Sequence, residues 1–284
     1  MGNWYKALLE VCLVSLILAF ASWLLEAYLS GIFLGFSFKA FMMLAALLAI
    51  ILQGKSFRAY GFLPISPQFT LKWSSAFAAV FIMPAAVSIA ISGALGMAKP
   101  ADLSLHSTVL NVIFLMVFVG LVEEAYFRGY VQSRLNEVFE KRWRKLIFKA
   151  WKADYGMSLP IASVIFALMH IANYWNPLTS RWEPTLYMPA HILGSFAFGC
   201  LAGAVREASD IYASASLHGG IMTAYTFLSY YANELILNIS LFTSWFIFFL
   251  LLSFFFQESE SIKLRAVEKR NDGNTKEKIR ICMI

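Results

Sequence analysis

Long apolar runs, separated by short polar connections, occupy most of the chain. Each run approaches the roughly 20 apolar residues that an α-helix needs to cross the hydrocarbon core of a bilayer. The runs predict an all-α fold, a polytopic membrane helix bundle of about eight transmembrane helices. The predicted helices cover residues 8–29, 32–52, 73–94, 109–131, 156–173, 188–206, 211–231 and 235–256.

Two segments depart from this pattern and define the domain organisation. Within residues 131–155, apolar side chains recur at helical spacing among Lys and Arg. This predicts an amphipathic helix on the cytoplasmic membrane surface, with a solvated linker as the alternative. Residues 257–284 are polar and charged without an apolar period, which predicts a disordered cytoplasmic tail. Residues 1–256 then form one transmembrane domain.

The distribution of Lys and Arg predicts the orientation in the membrane. If the N-terminus is cytoplasmic, nineteen of the 23 basic residues lie in cytoplasmic segments, and only Lys99 and Arg181 lie in external loops. Lys39 and Arg128 lie within predicted spans. Because the cytoplasmic loops of membrane proteins carry an excess of Lys and Arg, we expect a multi-pass protein of the cell membrane with both termini in the cytoplasm.

The composition agrees with a membrane protein and excludes other classes. Hydrophobic residues make up 60% of the chain and charged residues only 14%, against about 25% charged residues in soluble domains. The formal charge of +6 comes from basic residues beside apolar spans, where membrane topology explains them, so no nucleic-acid partner is expected. The three cysteines show no metal-ligand spacing.

Ionisable residues inside the spans are the candidates for function, because each costs at least about 2.5–3.5 kcal/mol to insert into a membrane. Glu123, Glu124 and Arg128 lie near the cytoplasmic end of the fourth predicted helix. Glu124 and Arg128 share a helix face and can pair, whereas Glu123 points about 100° away. We therefore expect Arg128 to neutralise Glu124 while Glu123 stays free to take a proton. A structural ion pair at the helix end is the alternative.

Histidines supply the second group of candidates. His170 on the fifth predicted helix and His218 on the seventh lie among apolar neighbours, where a hydrogen-bonded core histidine is the alternative interpretation. His191 on the sixth helix is a further candidate, for which an interhelical hydrogen bond is favoured. His106 is expected in a polar loop without a special role.

Together, two carboxylates, an arginine and two histidines on three helices are the groups that hydrolysis by an activated water requires. A glutamate aided by a histidine can deprotonate water, and a second histidine can donate a hydrogen bond to the developing oxyanion. The chain has neither a serine in a G-x-S-x-G setting nor an H-E-x-x-H zinc helix.

In their order along the chain, these residues resemble the motifs of the CPBP family, the CAAX proteases and bacteriocin-processing enzymes that are also called Abi proteins. That family carries E-E-x-x-x-R, then F-x-x-x-H, then H-x-x-x-N/D on successive membrane helices. Here the first motif is Glu123-Glu124-x-x-x-Arg128, the second is Phe166-x-x-x-His170, and the third begins at His218. The similarity covers about residues 55–225.

The resemblance implies an intramembrane endopeptidase of the glutamic type and a role for each motif residue. Glu123 would activate water together with His170, Glu124 and Arg128 would support the site, and His218 would form the oxyanion hole.

The chain departs from the family pattern in the third motif. Met222 stands where the family has Asn or Asp and cannot donate a hydrogen bond. Two alternatives follow: Asn173 on the fifth helix substitutes in support of the oxyanion, or the oxyanion hole is poorer. Some family members are described as metalloproteases, and Glu and His can ligate zinc. The sequence shows no full ligand set, so we expect no cofactor and no metal.

The resemblance also implies the class of substrate, a membrane-associated or prenylated protein or peptide. Within the family, type II CAAX endopeptidases remove three residues after a prenylated cysteine, and prokaryotic relatives process bacteriocin leaders or give self-immunity. The sequence does not choose among these substrates. The competing interpretation is a non-enzymatic membrane protein (a bacteriocin immunity factor, a scaffold or a transporter) that uses the polar cluster for binding. The chain lacks the internal repeat that a transporter would favour.

Overall fold

The computed structural model describes residues 4–28, 34–99, 103–139, 155–176 and 181–282. Within these residues the chain forms eight long helical segments and one short β-hairpin, so the predicted all-α fold is confirmed. The strands β1 (Trp175–Asn176) and β2 (Arg181–Trp182) are antiparallel. The helices are α1 (Trp4–Tyr28), α2 (Leu34–Leu52), α3 (Pro67–Ala94), α4 (Leu105–Asn136), α5 (Ser158–Met169), α6 (Met188–Ala208), α7 (Ile211–Tyr231) and α8 (Glu234–Cys282).

Most of these helices have the dimensions of membrane spans. By length and composition, five of the described helices can cross a membrane, namely α1, α3, α4, α6 and α8. Helices α2 and α5 are apolar but provide shorter segments, Phe36–Leu52 and Ser158–Tyr174. Helix α7 differs because Ser, Thr and Gly residues lower its hydropathy. The chain is therefore a multi-pass helical membrane protein, although not every one of the eight predicted spans is a full-length apolar helix.

Helix α4 carries the first motif and changes its helical type along its length. Ser104 caps its first turn, and Oγ of Ser104 accepts a hydrogen bond of 3.1 Å from the backbone N–H of Ser107. π-helical stretches are frequent at functional sites because the wider turn redirects the side chains. The α-helical pieces are Leu105–Ile113, Val122–Glu124 and Ser133–Asn136, and the π-helical pieces are Phe114–Leu121 and Ala125–Gln132.

Helix α7 crosses α4 at a distance that only glycine permits. A Cβ atom at Gly120 of α4 would lie 2.7 Å from the carbonyl oxygen of Ala215, and one at Gly219 of α7 would lie 2.9 Å from Cα of Met116. Small residues allow helices to approach closely where no water contributes to packing. The crossing brings the helix segment that carries His218 against the segment that carries the first motif.

Two apolar clusters fill the interior on either side of this crossing. One joins α3 and α8, which contribute its aromatic side chains, to α6 and α7, and the other joins α4 to α1, α2 and α5. The first cluster includes Phe69, Trp73, Phe77, Phe81, Phe248 and Phe255, and the second includes Val11, Met42, Tyr126, Phe127, Tyr130 and Phe166.

A polar network fastens α1 to the end of α4. Oε1 of Glu10 accepts hydrogen bonds from Nε2 of Gln53 at 2.5 Å and from the hydroxyl of Tyr130 at 2.9 Å. Oε2 of Glu10 accepts one from Nε of Arg134 at 3.0 Å. Both carboxylate oxygens of Glu10 thus have hydrogen-bond donors, and no catalytic role is expected for this residue.

The predicted amphipathic helix over residues 131–155 lies only partly within the described residues. Helix α4 includes its beginning, where Val131 and Leu135 are fully buried inside the protein and do not lie on a membrane surface. These side chains are buried because α1, α2 and α5 pack around this end of α4. Residues 140–154 lie outside the described residues.

The structure differs from the predicted disordered tail over 257–284, because α8 continues through Cys282. The first polar residues of this stretch have partners on other helices. Glu258 accepts hydrogen bonds from Nζ of Lys72 at 2.6 Å and from the indole N–H of Trp73 at 3.0 Å. Nζ of Lys263 donates to the backbone carbonyl of Glu207 at 2.7 Å. These contacts hold the first polar turns of α8 against other helices. That this part of α8 lies outside the membrane stays a prediction.

Candidate active site

Glu124 and Arg128 form a fully buried ion pair at the centre of the first motif. Nε of Arg128 lies 3.3 Å from Oε2 of Glu124, and neither side chain is exposed. The four-residue spacing places both on one face of α4, as the sequence predicted. The guanidinium carbon of Arg128 also lies 4.9 Å from the ring centroid of Phe166, in cation–π geometry. The ion pair and the aromatic ring together compensate a charge that would be costly inside an apolar bundle.

Glu123 is not free, which corrects the expectation from the sequence. Its Oε1 accepts a hydrogen bond of 2.5 Å from Nζ of Lys39, a residue of α2. The pairing has a physical reason, because a carboxylate that is only 7% exposed needs a compensating charge. No hydrogen bond in the described part of the chain engages Oε2 of Glu123, so this oxygen is available to a ligand or to water.

The third motif contributes His218, which contacts the buried ion pair. Nδ1 of His218 lies 3.2 Å from Oε1 of Glu124. Its ring centroid lies 4.7 Å from that of Phe198 and 6.0 Å from that of Phe166. The side chain is 5% exposed, so its orientation is set by the carboxylate and by two aromatic rings.

The second motif places His170 on the other side of Phe166. Nδ1 of His170 lies 2.8 Å from the backbone carbonyl oxygen of Phe166, and the two ring centroids are 4.6 Å apart. His170 begins the 3-10 turn His170–Tyr174 that follows α5. The F-x-x-x-H spacing thus has a structural reason, because the Phe166 ring contacts Arg128, His170 and His218, and its carbonyl orients the His170 ring.

The electrostatic environment of Glu123 includes both motif histidines as well as Lys39. The Phe166 ring contacts Arg128, His170 and His218, Glu124 contacts Arg128 and His218, and Glu123 precedes Glu124 on the same helix. All five residues of the predicted catalytic set therefore lie near one another. They are Glu123, Glu124, Arg128, His170 and His218.

Lys39 was not predicted as a site residue, although the sequence contains the feature that identifies it. Lys39 is a charged residue within an apolar span, and the same insertion cost that singled out Glu123 applies to it. In the prediction of membrane orientation, Lys39 is only one of two basic residues that lie within predicted spans and are assigned to neither side. Its contact with Glu123 depends on how α2 packs against α4, and a single sequence does not show this packing.

His191 lies beside the cluster and has the hydrogen bond that the sequence favoured. Its Nδ1 is 2.9 Å from the hydroxyl of Tyr174, which follows α5, while His191 itself belongs to α6. Its ring centroid is also 5.3 Å from that of His170. His191 therefore borders the site, although no described hydrogen bond joins it to the catalytic set.

Asn173 and Met222 are the two residues that bear on the predicted second hydrogen-bond donor to the oxyanion. Asn173 has an exposed side chain in the 3-10 turn, and no hydrogen bond within the described residues joins it to the cluster. Met222 is half-buried on α7, one turn after His218. His106 is exposed in the first turn of α4, and not in a loop as expected. A contribution of Asn173 to the oxyanion site stays a prediction.

The side chains that could ligate a metal ion at the site are few among the described residues. Within the described ranges, no group of three or more His, Cys, Asp or Glu side chains is arranged to hold one. In addition, each carboxylate already has a cationic partner, since Lys39 binds Glu123 and Arg128 pairs with Glu124.

Comparison with known proteins agrees with the motif geometry. The family model described as "Type II CAAX prenyl endopeptidase Rce1-like" matches residues 105–224 of the chain. The matched region begins at α4 and ends within α7, so it includes all three motifs. The motif resemblance covers a longer region, residues 55–225, which begins 50 residues earlier in the chain. A search of curated proteins found no significant match.

Proposed function

We propose that the chain, whose residues 105–224 match the Rce1-like family model, is an intramembrane endopeptidase of the CPBP/CAAX protease family. A water molecule activated by Glu123 and His170 hydrolyses a peptide bond of a membrane-associated or prenylated protein. The observation that carries this proposal is the convergence of three motifs around Phe166, whose ring contacts Arg128, His170 and His218.

The hydrogen bonds of the two histidines support different roles for them. A backbone carbonyl only accepts, so Nδ1 of His170 donates to the carbonyl of Phe166, and Nε2 of the neutral ring then carries a free lone pair. His170 is therefore suited to accept a hydrogen bond from the attacking water. His218 donates from Nδ1 to the carboxylate of Glu124, so its Nε2 donates only when the ring is protonated.

In the proposed reaction, Glu123 moves one proton between the two halves of peptide hydrolysis. The Glu123 carboxylate takes a proton from water while the water oxygen forms a bond to the scissile carbonyl carbon. The resulting oxyanion accepts a hydrogen bond from Nε2–H of protonated His218. The C–N bond then breaks, and Glu123 returns its proton to the leaving amine, so that protons and charges balance.

Glu124 and Arg128 support this chemistry without contacting the substrate. The Glu124 carboxylate, 3.2 Å from Nδ1 of His218, accepts a hydrogen bond from that ring and orients its Nε2. Arg128 compensates the charge of Glu124 from the other side. His218 then serves as the principal oxyanion donor, because Met222 cannot donate a hydrogen bond. A second donor such as Asn173 belongs to the proposal and would have to approach when substrate binds.

The proposed mechanism uses no metal ion and no cofactor. Lys39 and Arg128 already supply a cation for each carboxylate. The proton acceptor, the oxyanion donor and their orienting partners are side chains of the chain itself.

The proposed orientation places both termini in the cytoplasm of a cell-membrane protein. It is supported by the nineteen Lys and Arg residues that fall in cytoplasmic segments under this topology, against Lys99 and Arg181 outside. A substrate that is anchored to the membrane by a prenyl group would then reach the bundle from the lipid phase.

The alternative function is a non-enzymatic membrane protein that uses the polar cluster for binding. Met222 favours it, because the third motif lacks the second polar residue of the family pattern. The hydrogen-bonded pair His218–Glu124 favours the enzyme, since a purely structural histidine requires no carboxylate behind it. The two functions differ in whether loss of the Glu123 charge abolishes activity.

Cleavage by the full-length chain in proteoliposomes tests the proposal. The protein is incubated in heavy-oxygen water with prenylated CAAX peptides and with isolated cell membranes, and new C-termini are identified by mass spectrometry. We expect wild-type protein to produce C-termini that carry heavy oxygen in the new carboxylate, and we expect none from Glu123→Gln. Identical spectra from the two proteins would overturn the proposed function.

A further inference from the structure

Lys39 is a charged residue in the second turn of an apolar helix. Helix α2 (Leu34–Leu52) contains no other Lys, Arg, Asp or Glu. The side chain of Lys39 is 16% exposed and that of Glu123 is 9% exposed, and Nζ lies 2.5 Å from Oε1. A lysine in such a span costs about 2.5–3.5 kcal/mol or more, so its position calls for a specific partner.

We propose that Lys39 is a positioning residue of the active site, which holds Glu123 ionised through Oε1 and leaves Oε2 to take the proton from water. The inference rests on the proposed function and adds a residue from outside the three motifs and outside the matched region, 105–224. Lys39 contacts Glu123 directly and acts on water only through it.

The charge balance of the site gives the physical reason. Glu123 and Glu124 are neighbours in a poorly solvated site, where a carboxylate without a cation tends to be neutral. Arg128 compensates Glu124, and Lys39 compensates Glu123. Each carboxylate therefore has its own cation, and Glu123 enters the reaction as a base. After it has taken the proton, the adjacent ammonium group favours release of that proton to the leaving amine.

A purely structural role is the competing explanation, because the ion pair also joins α2 to α4. The two helices already have another contact, since the ring of Phe36 on α2 lies 5.0 Å from that of Phe114 and 4.7 Å from that of Phe118 on α4. The helices thus remain in contact without the ion pair, so the effect of Lys39 on stability and its effect on Glu123 can be measured separately.

Three variants of the full-length protein separate the explanations. Lys39→Gln removes the charge but keeps a hydrogen-bond donor, and Lys39→Arg keeps the charge. Lys72→Gln is the matched control, since Lys72 forms an ion pair of 2.6 Å with Glu258, and neither residue belongs to a motif. Each variant is measured for kcat, KM and thermal stability in proteoliposomes or detergent.

A chemical readout that does not need activity is labelling by dicyclohexylcarbodiimide in native membranes. The reagent modifies protonated carboxyl groups and enters the bilayer. We expect Glu123 to be unlabelled in wild-type protein and in Lys39→Arg, and labelled in Lys39→Gln. Glu124 is the internal reference, because Arg128 is unchanged. We also expect Lys39→Gln to lower kcat by about 10²-fold with little change in KM, and Lys72→Gln to leave both unchanged.

The possible failures are distinguishable. Wild-type kcat or an unlabelled Glu123 in Lys39→Gln would overturn the role of Lys39 while the proposed function stands. A lower melting temperature at unchanged kcat would assign Lys39 a structural role only. If wild-type protein cleaves nothing, the proposed function fails independently, and the labelling still decides whether Lys39 controls the charge of Glu123.

Discussion

His218 and Glu124 lie on crossing helices, and Nδ1 of His218 is 3.2 Å from Oε1 of Glu124. Glu124 thus lies between an imidazole and the guanidinium of Arg128, whose Nε is 3.3 Å from Oε2. The fully buried carboxylate connects the first motif to the third. Together with the rings of Phe166 and Phe198, it sets the orientation of the His218 ring.

This relationship predicts that Glu124 and His218 act as a unit. His218→Ala removes the oxyanion donor and is expected to lower kcat by about 10²–10³-fold. Glu124→Gln keeps a hydrogen-bond acceptor for Nδ1 of His218 but removes the carboxylate charge, and it is expected to have a smaller effect in the same direction. The double variant should lose little more than His218→Ala alone, because Glu124 acts through His218. Independent, multiplicative losses in steady-state kinetics would contradict the coupling.

Arg128 is expected to affect stability as well as activity. Arg128→Ala leaves the carboxylate of Glu124 buried without its guanidinium partner, which costs about 3–5 kcal/mol of unfolding free energy. The double variant with Glu124→Gln should recover part of this loss because the stranded charge is removed. Thermal unfolding in detergent measures both effects. Arg181→Ala is the control, since Arg181 is exposed, and a loss of equal size in this variant would argue against a specific buried pair.

The close crossing of α4 and α7 predicts strong sensitivity at Gly120. A Cβ atom there would lie 2.7 Å from the backbone carbonyl of Ala215, so Gly120→Ala must separate the two helices. We expect a loss of about 1–3 kcal/mol and reduced activity, because Glu124 and His218 move apart. Gly194→Ala is the matched control, since a Cβ atom there has no neighbour within 4 Å. Equal melting temperatures for the two variants would show that the helices do not approach as closely as described.

Membrane topology is testable independently of catalysis. Reporter fusions after Ile284 are expected to be cytoplasmic, and an insertion at Arg181 is expected to be external, as the distribution of basic residues predicts. An external C-terminus would require an odd number of spans and would contradict the proposed orientation.

The helices could be predicted from the sequence because burial in lipid requires continuous apolar length, which is visible in a single chain. Helices α3, α6 and α8 follow this rule closely. The rule is weaker for α7, where Gly219 and Gly220 serve helix packing and lower the hydropathy. The extension of α8 beyond Gln257 was not predicted, because its first contacts, such as that of Glu258 with Lys72, join residues far apart in the chain.

The candidate site was predicted in composition but not in its charge pairing. The spacing of Glu124 and Arg128 implied their contact, since both lie on one helix face. The pairing of Lys39 with Glu123 depends on helix packing, so Glu123 was expected to be free although the structure pairs it. Asn173 was expected to support the oxyanion only because it lies close to His170 in the sequence. In the structure the Asn173 side chain is exposed.

The replacement of Glu123 by Gln tests the central claim most directly. Glu123→Gln keeps the size of the side chain and can still bind Lys39, but it cannot take a proton from water. The control is Glu10→Gln, because Glu10 is also a hydrogen-bonded glutamate of a membrane helix but lies in the separate network with Tyr130 and Arg134.

The measurement is the rate of peptide cleavage in proteoliposomes for wild-type protein and for these two variants at equal amounts of folded protein. Loss of a general base costs about 10²–10⁴-fold in rate, so we expect a loss of this size for Glu123→Gln and a near wild-type rate for Glu10→Gln. A Glu123→Gln variant that cleaves substrate at the wild-type rate would contradict the account.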